Sequence, residues 1–163
     1  MKKLTSVLAL TACALSISAT AFAAISPEEA KAIAQKEVPA TSTFLRIETE
    51  VNKYAPYYEV NFYDSTTHTE YEIDVLQKTG AVRKYSMEKK TVLGSPKIVL
   101  SANDIQALVT KEYPGAVIRK IDLEIDNGLY EYEAKFRLPG AIGEVNYNAE
   151  TGEALEIELK YQY

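Results

Sequence analysis

The chain has 163 residues, 47% of them hydrophobic and 25% charged, with a formal net charge of −5. That length fits one ordinary domain or two small ones, and the composition excludes a disordered or collagen-like protein. An acidic surface repels phosphate, which argues against nucleic acid and anionic membrane surfaces as partners.

The chain opens on MKK, the apolar run LTSVLALTACALSISAT and the small-residue stretch AFA. A basic start, a hydrophobic middle and a small-residue site predict a signal peptide over 1–23, cut after Ala23. The expected location is therefore secreted, extracellular or periplasmic. Cys13, in the stretch LTAC, supplies a lesser alternative: a lipobox, with the protein anchored as a lipoprotein at Cys13. Without that lipid, no direct membrane binding is expected after cleavage. The leader takes with it Lys2, Lys3 and the chain's single cysteine. The remainder is more acidic and has no disulfide, so each small core must hold by packing.

The next stretch, SPEEAKAIAQKEVP from Ser26, returns as SANDIQALVTKEYP from Ser101. Ser26 suits a helix cap, Pro27 the first helical position, and Glu29 the reciprocal partner of a capping box. Ser101 and Asp104 repeat the box, with Leu100 and Ile105 as a hydrophobic staple. Ala30, Ile33, Ala34 and Val38 recur at helical spacing, as do Ile105, Leu108 and Val109. Pro39 and Pro114 are expected to end the two helices, because the residue before proline avoids the helical region.

Strands follow each helix. In YYEVNF from Tyr57, Tyr58, Val60 and Phe62 alternate with Tyr57, Glu59 and Asn61; in EYEAKF from Glu131, Tyr132, Ala134 and Phe136 alternate with acids and Lys135. EYEIDV from Glu70 and ALEIELKY from Ala154 continue the pattern. Period-two alternation with one polar side predicts antiparallel sheet with a solvated face. Asn127-Gly128, Pro139-Gly140, Thr79-Gly80 and Thr151-Gly152 supply the turns. The predicted fold class is α+β: two tandem repeats, each one N-terminal helix packed on a roughly four-stranded antiparallel sheet. Copy one is placed at 24–87, a linker at 88–99 and copy two at 100–163. Whether the two copies share one sheet is open at this level.

This order of elements resembles the PepSY family. The resemblance rests on SPEEAKAIA opening the first helix, on the YYEVNF and YEYEAKF strands, and on EYEIDVLQKTGAV and GEVNYNAETGEAL with their Thr-Gly turns. Copy one departs at its last turn, where Gln77-Lys78 stands in place of the acidic region of Glu150. The layout is also similar to the tandem β-lactamase inhibitor proteins, although those carry disulfides and tryptophans absent here. The resemblance implies a non-catalytic module of the kind found in propeptides of secreted thermolysin-like metallopeptidases and in envelope proteins. The expected role is inhibition or regulation of a peptidase in or beyond the cell envelope, through protein contacts. The expected partner is a secreted peptidase or another envelope protein. The alternative is a general envelope interaction or ligand-binding module unrelated to peptidases.

The residues favour no enzyme. His68, the only histidine, lies in the polar stretch DSTTHTE and reads as a hairpin-loop residue. A zinc site would need it beside three carboxylates, so no metal, cofactor or catalytic residue is assigned. In DLEIDNGLYEYE, Asp122, Glu124, Asp126 and Glu133 fall at positions of a calcium loop. Asn127 occupies the sharp-turn position, however, and Ile121, Leu123 and Ile125 alternate as in a strand, so an acidic hairpin is the expected structure. Glu131 with Glu133 and Glu156 with Glu158 belong to a solvated face, where nothing tunes a carboxylate for acid–base work. Tyr57, Glu59 and Tyr63 are the candidate partner-binding residues, because tyrosines among polar groups suit protein contacts. Cover by the other copy is the competing explanation for the two tyrosines.

Overall fold

In both copies the helix start is built as the chemistry of its first residues dictates. Ser26 Oγ accepts from the Glu29 amide at 3.2 Å while Glu29 Oε2 accepts from the Ser26 amide at 2.7 Å. Ser101 and Asp104 do the same at 3.3 and 2.8 Å. These bonds hold both carboxyls below their usual range. The computed structural model describes residues 24–51, 55–91 and 94–162. The signal peptide predicted over 1–23, with Cys13, lies outside them.

Ten elements follow in order: α1 (Pro27–Ala34), β1 (Thr43–Glu50), β2 (Tyr57–Asp64), β3 (Thr69–Leu76), β4 (Val82–Lys89), α2 (Ala102–Glu112), β5 (Val117–Asp126), β6 (Leu129–Leu138), β7 (Ala141–Asn148) and β8 (Ala154–Tyr161). α2 runs up to the residues before Pro114, as expected. α1 stops short of Pro39. After Ala34 the chain tightens, with the Lys36 and Glu37 amides bonding the carbonyls of Ile33 and Ala34, three residues back. That tighter turn still delivers Val38 to the core, where it is 8% exposed. β4 continues through Lys89, so the connection between the copies begins after it.

The strands form one eight-stranded antiparallel sheet in the order β1-β2-β3-β4-β8-β7-β6-β5. The fourth strand of each copy pairs with that of the other, so the question left open by the sequence is settled in favour of a continuous sheet. At the join Tyr85 lies opposite Leu159 and Met87 opposite Ile157. These side chains belong to a core that takes in Ala30 and Ala34 of α1, Ile105 and Val109 of α2, and the inner faces of the strands. Helices of this length are marginal alone. Here α1 packs on β2 and β3, and α2 on β5 and β6.

The recurring residues do matching jobs in both copies. The Tyr58 hydroxyl donates to the Ile25 carbonyl at 3.3 Å and the Tyr132 hydroxyl to the Leu100 carbonyl at 3.0 Å. Each inner tyrosine thus pins the chain just ahead of a capping serine. Gly80 and Gly152 of the Thr-Gly turns share φ +71, and a Cβ there would lie 3.1 Å from Ile33 and 2.8 Å from Leu108. The helix sits directly on the turn, and glycine alone satisfies both the backbone and the space. Asn127 and Gly128, at φ 51 and 81, make the tight turn between β5 and β6. The acidic stretch around them is therefore a hairpin.

Asp64 ends β2 as the keystone of the next turn. Its carboxylate accepts from Thr41 Oγ1 at 2.5 Å, from the Thr66 amide at 2.8 Å and from the Thr66 hydroxyl. The bond from Thr41 contributes most to holding the acid down at about 2. An acid depressed on folding contributes stability above its ordinary value of 3.8 and loses it as pH falls toward 2. Asp64→Asn is expected to cost about 2 kcal/mol at pH 7, since the residue is only 2% exposed and loses charge-assisted bonds. Urea unfolding from pH 7 to pH 2 checks this: the wild-type advantage should vanish across the acid end of that range.

Candidate functional site

Both helices contact the inner face of the sheet. The outer face is a field of polar side chains set by the alternation of every strand. One row crosses all eight strands: Arg46, Asn61, Glu72, Ser86, Glu158, Glu144, Lys135 and Lys120 lie side by side in register. Lys84 reaches Glu72 at 2.8 Å and Glu158 at 3.6 Å, linking the copies across the join. Lys160 sits 2.5 Å from Glu158. These partly exposed pairs contribute little each, and they fix the arrangement of charge more than the stability.

All three candidate binding residues stand in line along β2 on this face, each half-buried. The Tyr57 ring lies under the Arg83 guanidinium, 4.1 Å from its centroid. Tyr63 and His68 are hydrogen-bond partners, with the hydroxyl 3.0 Å from Nδ1. The cover on both tyrosines comes from copy one itself. Glu59 accepts from the Asn61 side chain at 3.0 Å. His68 is exposed in the β2–β3 turn at φ 52, in the loop position expected of it.

The sequence reading missed what surrounds Glu59. Its carboxylate, with those of Glu72 and Asp74 on β3, forms a group whose oxygens lie within 4.8 Å of one another. Asp74 is 3% exposed. Its Oδ2 is 3.7 Å from Arg83, and its Oδ1 has no hydrogen-bond partner among the described residues. Burial pushes this acid up to about 6, against the opposing pull of Arg83 and Lys84. The signal was present in EYEIDV, where Tyr71, Ile73 and Val75 point inward and so turn Glu72 and Asp74 toward the same side as Glu59. Pairing of β2 with β3, which no local pattern specifies, brings them together.

A second acidic group, Asp122, Glu124 and Glu133, spans β5 and β6. Lys120 pairs with Asp122, and Lys135 lies 3.0 Å from Glu133 and 3.5 Å from Glu144. Beyond it β5 ends the sheet, with Val117, Leu123 and Ile125 at 56%, 42% and 64% exposure.

The model of the PepSY family, described as peptidase propeptide and YPEB domain, matches residues 24–85 and again 99–158. The chain belongs to the PepSY family. Both matched stretches run from just before a capping serine into the fourth strand of a copy. Among solved structures, the PepSY chain is similar to the YpeB C-terminal domain of Bacillus megaterium, at 17% identity and a TM-score of 0.52. That match covers 82% of this chain and 62% of the other, so the chain spans less than two thirds of that structure, and the likeness concerns the fold. A protein of Clostridium difficile 630 described as a lipoprotein matches at 14% identity and a TM-score of 0.36, over 79% of this chain and 89% of that one. No curated protein matches. Among the described residues, no helix is long and apolar enough to cross a membrane.

Proposed function

We propose that this PepSY chain is a secreted, non-catalytic protein that restrains or regulates a peptidase by direct contact. The observation that carries the proposal is the β5 edge, which ends the sheet and leaves Val117, Leu123 and Ile125 in solvent. An extended segment of a partner adds to such an edge by backbone hydrogen bonds, while side chains supply selectivity. The bulge at Arg119 interrupts the first part of β5 and leaves the run from Lys120 onward regular. The open face beside β2, with Tyr57, Glu59 and Tyr63, supplies a second contact area. The family's description as a peptidase propeptide supports a peptidase as the partner. A non-catalytic role is supported by His68, which is exposed in a turn and bonded to a tyrosine.

The test adds the purified chain to a secreted thermolysin-like metallopeptidase and follows initial rates. The rate is expected to fall with added protein, and Leu123→Lys, at an exposed position, is expected to weaken the effect about tenfold. Unchanged rates at micromolar excess contradict the proposal and favour an envelope-interaction role unrelated to peptidases.

A further inference from the structure

We infer that Glu59, Glu72 and Asp74 form a calcium site on the open face of copy one. This inference stands apart from the peptidase reading. Three carboxylate oxygens within 4.8 Å of one another suit a shared hard cation bound at about 2.3–2.6 Å from each. Asp74 Oδ1, on a residue only 3% exposed, has no hydrogen-bond partner among the described residues. A buried carboxylate oxygen left in that state is costly unless something cationic meets it.

The internal repeat supplies the comparison. By strand register, Glu59, Glu72 and Asp74 correspond to Glu133, Glu144 and Asn146 of copy two. There Lys135 places its ammonium 3.0 Å from Glu133 and 3.5 Å from Glu144, so the protein's own cation joins the two acids. In copy one the Lys135 position is Asn61, which gives Glu59 only an amide hydrogen bond at 3.0 Å. The Asn146 position is Asp74. Copy one thus lacks the lysine of copy two on β2 and carries an acid in place of an amide on β3, while on β4 Lys84, opposite Asp74, stands where copy two has Glu156 opposite Asn146.

Arg83 and Lys84 face two of the three acids from the β4 side, Lys84 at 2.8 Å from Glu72 and Arg83 at 3.7 Å from Asp74. Lys84 is shared with Glu158, and Arg83 reaches Asp74 through Oδ2 while stacked over Tyr57. Glu59 has no ion-pair partner of its own among the described residues. An all-oxygen donor set without histidine or cysteine disfavours zinc, and the strict octahedron that magnesium requires is not built by three side chains on a flat sheet. Calcium tolerates such a site and completes its shell with water, at affinities of about 0.1–1 mM.

Calcium chloride titrated into the purified chain is expected to give saturable heat in calorimetry and a rise in Tm of about 3–6 °C at about 5 mM. Asn61→Lys, which restores the ammonium seen in copy two, is expected to abolish both responses without removing a carboxylate. Asp74→Asn, a replacement that copy two already accommodates as Asn146, is expected to weaken binding about tenfold or more. Glu124→Gln, in the other acidic group, is expected to leave the response intact. Absence of heat up to about 10 mM calcium overturns the inference. So does a response that survives both Asn61→Lys and Asp74→Asn, or one that Glu124→Gln removes.

Discussion

Gly143→Val is expected to destabilise the protein by about 3 kcal/mol, read as a lowered urea midpoint with unchanged steepness. Gly143 faces the core in β7, opposite Phe136 on one side and Leu159 on the other. A Cβ at this position would lie 2.4 Å from two atoms of the Phe136 ring and 3.0 Å from Leu159 Cδ2. The ring has no room to withdraw, because it is 1% exposed and rests on Tyr113 with centroids 4.6 Å apart. In copy one the corresponding partner of the strand phenylalanine is Tyr71, opposite Phe62. There Phe62 meets Phe44 edge-on at 6.0 Å. The two copies therefore fill the same layer differently: in one a large residue stands beside the phenylalanine, and in the other the phenylalanine lies over a glycine. Valine in β7 combines the crowded half of both solutions. Gly143→Ala is expected to cost less, since alanine lacks the two further methyl groups.

Tyr85→Ala is expected to cost about 3–5 kcal/mol and to shift the unfolding of the whole chain as one transition. Tyr85 stands at the join, opposite Leu159 across β4 and β8 and opposite Ile73 across β3 and β4. It is 8% exposed and packs tilted against Tyr71 at 6.4 Å. Burial raises its hydroxyl well above the ordinary tyrosine range. Because the core is continuous through this point, a cavity here loosens both halves. Far-UV circular dichroism in urea checks the expectation: a single transition at lower midpoint supports one cooperative unit, and a transition split in two contradicts it.

Local chemistry made much of this fold legible. Capping boxes at Ser26 and Ser101, the Asn127-Gly128 turn and the alternation of β2, β3, β6 and β8 are short-range features, and the structure follows them. The Thr-Gly turns were visible as turns, whereas their packing under Ile33 and Leu108 was not, because it depends on where a helix 47 or 44 positions earlier in the chain comes to rest. The end of α1 was misplaced for a related reason. A proline marks where a helix must stop, and the tightened turn after Ala34 stops it earlier. The join of β4 to β8 lay beyond sequence reasoning, since no local pattern specifies which strand edges of the two copies meet. At the site, Glu59 was singled out with Tyr57 and Tyr63, yet Glu72 and Asp74 were not. Recognising them requires the register of β2 against β3, and knowing that Asp74 is buried requires the side chains of β4 laid across it.

The direct test of the account is hydrogen exchange on the chain alone and mixed with a thermolysin-like metallopeptidase. Addition of a partner strand is predicted to slow exchange at backbone amides of β5 between Lys120 and Asp126, the regular part of that edge of the sheet, and not at the opposite edge strand β1. Exchange rates in β5 that do not change with a saturating peptidase, or protection confined to the helices, would contradict it.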